Sequence, residues 1–206
     1  MRHQVTLLPA QHVRPYVRRN KTDARDAMAI VEAARNREIH PVPVKTEYQQ
    51  ALQSLHRLRE QWKHTRTARI NALRGVLREF GVLVPIGPSQ ALKTARAQID
   101  TLPDSLQESV HDVLAEIEML QQRMHSIETH LKRLVKDDPV VQRFMTINGI
   151  GLFSATALRA CVQSPSQFKN GRQLSAWLGI TPREYSSGDK RYLGRITKRR
   201  RCRRSG

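Results

Sequence analysis

The sequence predicts a mainly α-helical protein, and three observations carry that prediction. Apolar residues recur at helical spacing through two long stretches, residues 47–80 and 106–134. Strand-forming residues gather only near the start, over His3 to Leu8. The chain has 206 residues, 39% of them hydrophobic and only 5% aromatic, enough for a buried core built mostly of aliphatic side chains.

Taken in order, Val5-Thr6-Leu7-Leu8 reads as a short strand that Pro9 ends. Residues 20–37 read as a helix with Asn20 or Thr22 as N-cap and an apolar stripe of Ala24, Ala27, Met28, Ile30, Val31 and Ala34. His40-Pro41-Val42-Pro43 cannot continue it, because each residue before a proline is pushed toward extended geometry. Residues 47–80 read as one amphipathic helix, closed by Gly81 and by Pro85 to Pro88, and residues 91–99 as a shorter helix ended by Leu102-Pro103. Then Leu106, Val110, Val113, Ile117, Leu120, Met124, Ile127, Leu131 and Leu134 alternate four-three spacing. That pattern fits a coiled-coil seam, and equally a bundle helix paired with the 47–80 helix. Asp137-Asp138-Pro139 ends it and opens a glycine-richer C-terminal region. The resulting division is 1–45, 46–136 and 137–206.

Charge narrows the function. Lys and Arg number 36 against 18 Asp and Glu, a formal net charge of +18. Nine cations fall among the last 17 residues, and Arg14, Arg18, Arg19, Lys21 and Arg25 form a second basic segment. Such a distribution suits a polyanionic partner held through phosphate contacts with counterion release, although a solvated basic tail would have the same composition. No apolar run approaches the roughly 20 residues needed to cross a bilayer, and Met1-Arg2-His3-Gln4 leads into no signal-peptide core. Two cysteines, Cys161 and Cys202, make neither a disulfide framework nor metal-ligand spacing. The expectation is a cytoplasmic, nucleoid-associated protein.

Three short motifs could carry chemistry. Asp23 and Asp26 stand at i and i+3, on one helix face, where two carboxylates could share a divalent cation; acids in a first helical turn are also favoured by the helix dipole alone. Thr146-Ile147-Asn148-Gly149-Ile150-Gly151, followed by a helical run, resembles the hairpin of a helix-hairpin-helix module. There glycines let backbone N–H groups approach a nucleic-acid phosphate. Pro182 to Lys190 reads as a loop that sets Ser186 and Ser187 beside Gly188 in a basic setting. A serine there could act as a nucleophile once deprotonated or positioned, with neighbouring cations stabilising a phosphoryl transition state. Tyr185 is a rival on the same segment, and Ser-Ser-Gly is also an ordinary surface turn. The eight histidines form no ligand cluster and read as surface or packing residues.

Four segments together resemble the DEDD transposases of the insertion-sequence-110 (Piv-like) family. They are His3 to Pro9 with Val13 to Val17 and Asn20 to Ala27; Asn71 to Gly75 through Gly81; the Gly149/Gly151 hairpin; and Leu174-Ser175-Ala176-Trp177-Leu178-Gly179-Ile180-Thr181-Pro182-Arg183 through Ser186-Ser187-Gly188 and Gly194 to Lys198. The resemblance implies the end of a RuvC-like (ribonuclease-H) α/β catalytic domain at 1–45, a coiled-coil middle, and a small C-terminal helical transposase domain. It implies a DNA transposase or site-specific recombinase of a bacterial insertion sequence, cutting and rejoining DNA. Magnesium would be held by Asp23 and Asp26 with two further acids, and Ser186 or Ser187 would be the nucleophile, completing a composite site. Gly149, Gly151, Arg183, Lys190, Arg195 and Lys198 would contact nucleic acid. Partners would be the element ends and target DNA, an element-encoded guide RNA, and further copies of the chain associated through the helical region.

Two departures from the family pattern shape the expectation. Its first Asp and its Glu lie upstream of the segment matching His3 to Pro9, so this sequence carries two of the four acids. After Lys198 the family continues into a glycine and a helix, whereas here Arg199-Arg200-Arg201-Cys202-Arg203-Arg204 follows. The sequence is therefore expected to be a remnant truncated at its start and frame-shifted at its end, inactive or partial in strand transfer. The alternative is a non-catalytic basic helical protein that binds DNA or RNA.

Overall fold

The computed structural model describes residues 5–17, 22–39, 41–162, 164, 166, 168–187 and 190–196. The chain divides into two compact units, Met1–Thr46 and Glu47–Gly206.

In the first unit, helix α1 spans Ala10–Val13, a 3-10 turn Arg14–Tyr16, and α2 Asp23–Arg35. The expected strand is reduced, among the described residues, to one bridge in which the Val42 N–H donates to the Leu7 carbonyl at 2.7 Å. Pro9 explains the early stop: its carbonyl accepts from His12 and Val13 and so turns the chain into α1. Thr22, not Asn20, caps α2, its hydroxyl accepting from the Arg25 N–H. The predicted apolar stripe is not what this helix buries. Ala29 and Ala33 are buried, while Met28, Ile30 and Val31 are exposed. Small side chains allow the close approach of the 3-10 turn, which Asn36 reinforces by donating to the Tyr16 hydroxyl at 3.0 Å.

The second unit is built on a helical hairpin. Helix α3 runs Glu47–Glu79, α4 Pro88–Gln98 and α5 Asp104–Leu134. Gly81, at φ +78°, ends α3: its N–H donates to Arg78 and that of Val82 to Leu77, a left-handed cap that disfavours a Cβ. The connection to α4 is tied down by Arg74, which donates to the Gly87 carbonyl at 2.8 Å. Pro88 then starts α4, one turn earlier than predicted.

Helices α3 and α5 pack antiparallel, so the regular α5 pattern serves an intrachain pair. Ile70, Leu73 and Leu77 of α3 meet Val110, Leu114 and Ile117 of α5, with α4 supplying Ala91, Leu92 and Ala95. At the other end Leu52 meets Ile127, Leu131 and Val135, joined by Val141, Ala155 and Ala160. Leu120 and Met124 are buried but join neither cluster. The strict heptad reading needs two corrections: Leu114 is buried and Val113 only half-buried, and at the end Val135 is buried and Leu134 exposed. A straight helix of 3.6 residues per turn drifts away from a 3.5-residue repeat, and here the drift moves the seam by one position.

Helices α6 (Pro139–Met145), α7 (Leu152–Cys161) and α8 (Gly171–Leu178) follow, then antiparallel strands β1 (Pro182–Ser187) and β2 (Lys190–Ile196). The segment read from sequence as a loop at 182–190 is thus largely a strand. Tyr185 pairs with Tyr192 and Glu184 with Leu193, and this cross-strand pairing turns a polar segment into a ribbon. None of the described helices is long and apolar enough to cross a membrane.

Candidate functional site

Asp23 and Asp26 occupy the first turn of α2 in the first unit. Asp23 is exposed; Asp26 is half-buried and lines an open cavity of about 700 Å³ with Leu7, Leu8, Val13, Val17 and Ile30. Two carboxylates supply only part of the octahedral shell that magnesium requires. Among the described residues no group of three His, Cys, Asp or Glu side chains could hold a metal ion. The residues present do not by themselves fit a complete magnesium site.

The segment that resembles a helix-hairpin-helix module consists of α6, a tight turn, then α7. Gly149, at φ +85°, is the third residue of a turn closed by the Ile150 N–H donating to the Ile147 carbonyl at 3.0 Å. That conformation favours glycine. Gly151 differs. It is the N-cap of α7 at φ −86°, a conformation open to any residue. A Cβ at either position would meet nothing within 4 Å, so the hairpin faces open space. Glycine at 151 is therefore not demanded by folding. Thr22, Asp138 and Asn170 cap α2, α6 and α8 with their side chains, but α7 has no such cap.

What holds this hairpin is Asp138. Its Oδ1 accepts from the Val140 and Val141 N–H groups at 2.9 and 3.3 Å, and its Oδ2 from Arg159 Nε at 3.0 Å and the Tyr48 hydroxyl at 3.1 Å. One carboxylate thus joins α6, α7 and the start of α3. Burial alone would push the Asp138 carboxyl up, but the bonds from Arg159, the two N–H groups and Tyr48 together hold it below the usual carboxylate range. The Tyr48 hydroxyl is pushed up to about 12, by burial first and then by donating to Asp138. Further along α3, buried Gln49 donates to the carbonyls of Arg159 and Val162 at the end of α7. His56 is bonded to Thr156 at 2.9 Å. Arg59 pairs with Glu128 at 2.8 Å while lying 4.0 Å from the Phe153 ring centroid. None of Tyr48, Gln49 or Arg59 stood out in the sequence, because their roles depend on partners about 70 to 113 positions away.

The ribbon carries the remaining candidates. Ser187 pairs with Lys190 and Ser186 with Arg191. Successive strand positions alternate, so position 187 shares a face with Tyr185 and Tyr192, and position 186 with Glu184 and Leu193. Arg183 lies on β1 between Pro182 and Glu184, and Arg195 is exposed on β2. Lys198 lies outside the described residues. The structure therefore gathers Gly149 with Gly151 in one turn, and Arg183, Ser186, Ser187, Lys190 and Arg195 on one ribbon; Asp23 and Asp26 belong to the other unit. Tyr192 is not among the candidates legible as a motif. The signal available was two strand-forming segments, each with a tyrosine, flanking Gly188-Asp189.

Comparisons with known proteins match both parts of the chain to one kind of protein. The profile of the DEDD insertion-sequence-110 transposases matches residues 1–82. That of the "Transposase IS116/IS110/IS902 family" matches residues 141–205, a span that includes the arginine-rich 199–205. A "Probable family 20 transposase" of Pseudomonas aeruginosa is 40% identical over 202 residues, covering 96% of this chain and 60% of the relative. The "Transposase for insertion sequence element IS1111A" of Coxiella burnetii is 35% identical over 198 residues, 94% of this chain and 54% of the relative. The corresponding protein for IS1328 of Yersinia enterocolitica is also 35% identical, over 96% of this chain and 59% of its own length. The chain spans between half and two thirds of the length of these relatives.

Proposed function

Because the chain belongs to the IS116/IS110/IS902 family of insertion-sequence transposases, we propose that it acts on DNA as part of such a transposase. The observation that carries this reading is the similarity to transposases along almost the whole chain, from the acid-bearing α2 to the serine-bearing ribbon. In this reading residues 1–45 are the end of a RuvC-like catalytic domain, 46–136 its helical middle and 137–206 the C-terminal transposase domain. Its partners are the element ends, target DNA and a guide RNA, and copies associate through the helical middle at the nucleoid. Asp23 and Asp26 would hold magnesium together with acids supplied from outside the described residues, and the metal would supply charge neutralisation at phosphate.

The chain's own residues have distinct tasks. The hairpin at Gly149 and Gly151 offers N–H groups to a DNA phosphate, which the open space around both glycines supports. The Oγ of Ser186 or Ser187 attacks a DNA phosphorus atom and gives up its proton. A serine–phosphate ester forms, and the bond to one deoxyribose oxygen breaks, that oxygen taking up a proton. Rejoining reverses these steps with a new deoxyribose hydroxyl. Arg183, Lys190, Arg195 and Lys198 neutralise the phosphate charge.

The test uses the chain with DNA of its own element ends and asks for a covalent protein–DNA adduct that survives denaturation. With two of the four family acids in this sequence the expected yield of adduct is at most partial; it is lost in one of Ser186→Ala and Ser187→Ala, and lost or reduced in Asp23→Ala and Asp26→Ala, with DNA binding kept. Steeply salt-dependent binding with no adduct under any condition favours the non-catalytic binding protein, whose support is the +18 net charge.

A further inference from the structure

The β-ribbon carries a feature that the transposase reading does not use. The chain has four tyrosines. Two stand away from the ribbon: the Tyr16 hydroxyl accepts from Asn36, and that of Tyr48 donates to Asp138. The other two, Tyr185 and Tyr192, stand directly opposite each other on β1 and β2, 62% and 61% exposed. Directly paired strand positions place their Cβ atoms about 5 Å apart. Two aromatic rings are thus presented together to solvent where burial would ordinarily be favoured. Charge completes the picture: from residue 182 to the end, ten Lys and Arg face two acids, Glu184 and Asp189.

From this combination we infer that Tyr185 and Tyr192 form a stacking platform for unstacked bases of single-stranded nucleic acid, held while the neighbouring cations take its phosphates. The argument for a single strand rather than a duplex is chemical. A stacked duplex hides its base faces, so an exposed aromatic pair gains nothing from it beyond groove contact, whereas every unpaired base offers a π-face. The basic surroundings select a polyanion over an apolar protein partner. Position 187 lies on the same ribbon face, two pairing steps from the tyrosines. A base seated there would bring its strand to the ribbon's serine end. The inference rests on the nucleic-acid reading above and adds the strandedness of what this ribbon holds.

The experiment titrates the full 206-residue chain against a fluorescein-labelled single-stranded oligonucleotide of mixed sequence and against the same sequence as a duplex, by anisotropy at several salt concentrations. Two pairs of variants are compared. Tyr185→Val and Tyr192→Val keep strand propensity but remove the π-face; Tyr185→Phe and Tyr192→Phe keep the face and lose only the hydroxyl. Each Val change is expected to weaken single-strand binding about 5-fold or more, to leave duplex binding within about 2-fold, and to leave the salt slope unchanged, because no phosphate contact is lost. The Phe variants should bind like the parent. A 2-aminopurine base in the strand should change its fluorescence with the parent chain and not with the Val pair.

Single-strand binding unaffected by the Val changes overturns the inference, as does equal weakening of strand and duplex. A lowered melting temperature with unaltered binding would make the pair a brace of the ribbon and nothing more. Phe variants as weak as Val would replace stacking by a role for the hydroxyl. If the parent chain binds neither form, the nucleic-acid reading itself fails, an outcome distinct from failure at the tyrosines alone.

Discussion

Replacing Asp138 with alanine should loosen the whole C-terminal mounting, and the size of the effect can be worked from its four hydrogen bonds. Two are the N-cap bonds to Val140 and Val141, and loss of such a cap costs about 1 kcal/mol. The other two join the carboxylate to Arg159 and to Tyr48, with the Asp138 side chain 10% exposed and that of Arg159 26%. Hydrogen bonds to a charged group contribute roughly 1.5–3 kcal/mol. The bonds share one carboxylate, so they do not simply add. A total of about 2–4 kcal/mol follows, which for a unit of this size lowers Tm by roughly 4–16 °C.

The assay is urea unfolding followed by circular dichroism, run as a double-mutant cycle with Arg159→Met. A coupling of about 1 kcal/mol or more between the two sites is expected. A loss below about 0.5 kcal/mol for Asp138→Ala, which is what an ordinary surface change produces, would refute the argument. Acidity should reproduce the effect. The folded pKa lies below the ordinary value, so the contribution is present above the unfolded pKa and is lost as pH falls through the folded one. Asp138→Ala should flatten that part of the acid-unfolding curve.

Three further outcomes follow from the same geometry. Tyr48 titrates near 10 unfolded and about 12 folded, so its contribution is intact below pH 10 and is lost as pH rises through 12; Tyr48→Phe should remove that alkaline loss from the unfolding curve. Gly149→Ala should destabilise the chain by about 1 kcal/mol because of the positive φ, whereas Gly151→Ala should leave stability within about 0.5 kcal/mol. Weakened DNA binding by Gly151→Ala at unchanged stability would then locate the phosphate contact at the hairpin. Leu52→Ala, at a position with no exposure, should cost about 2–5 kcal/mol in chemical denaturation, against a negligible change for the exposed Leu83.

The helical part of this fold was legible because long helices repeat their signals: α3 and α5 end within about two residues of where apolar spacing and glycine or proline placed them. Tertiary choices were not. Whether α5 paired within the chain depended on α3 ending in a turn that let it fold back, and Leu114 displaced Val113 through a drift that no heptad template contains. Ser186 and Ser187 read as a loop because polar residues carry no apolar alternation; their strand comes from pairing with residues 190–196. The acids were legible as neighbours on one turn, since i and i+3 alone fix that. The supports of the hairpin were invisible for the opposite reason, as Tyr48 and Gln49 act on residues about 90 to 113 positions away.

The two apolar clusters of the α3–α5 pair have a consequence for how the molecule opens. Between them α5 buries Leu120 and Met124, while α3 fully buries none of residues 53–69, and the ion pairs Arg59–Glu128 and Arg69–Glu116 join the helices beside the clusters. Cooperativity travels through contiguous apolar contact, and here that thread is thin on the α3 side, so the pair is expected to open as two foldons. Backbone amides around Leu77 and Val110 should then exchange with solvent through openings that leave Leu52 and Leu131 protected. The α4-bearing end of the pair would unzip and reclose while the end that carries the hairpin keeps its shape, a compliant spacer attached to a rigid base.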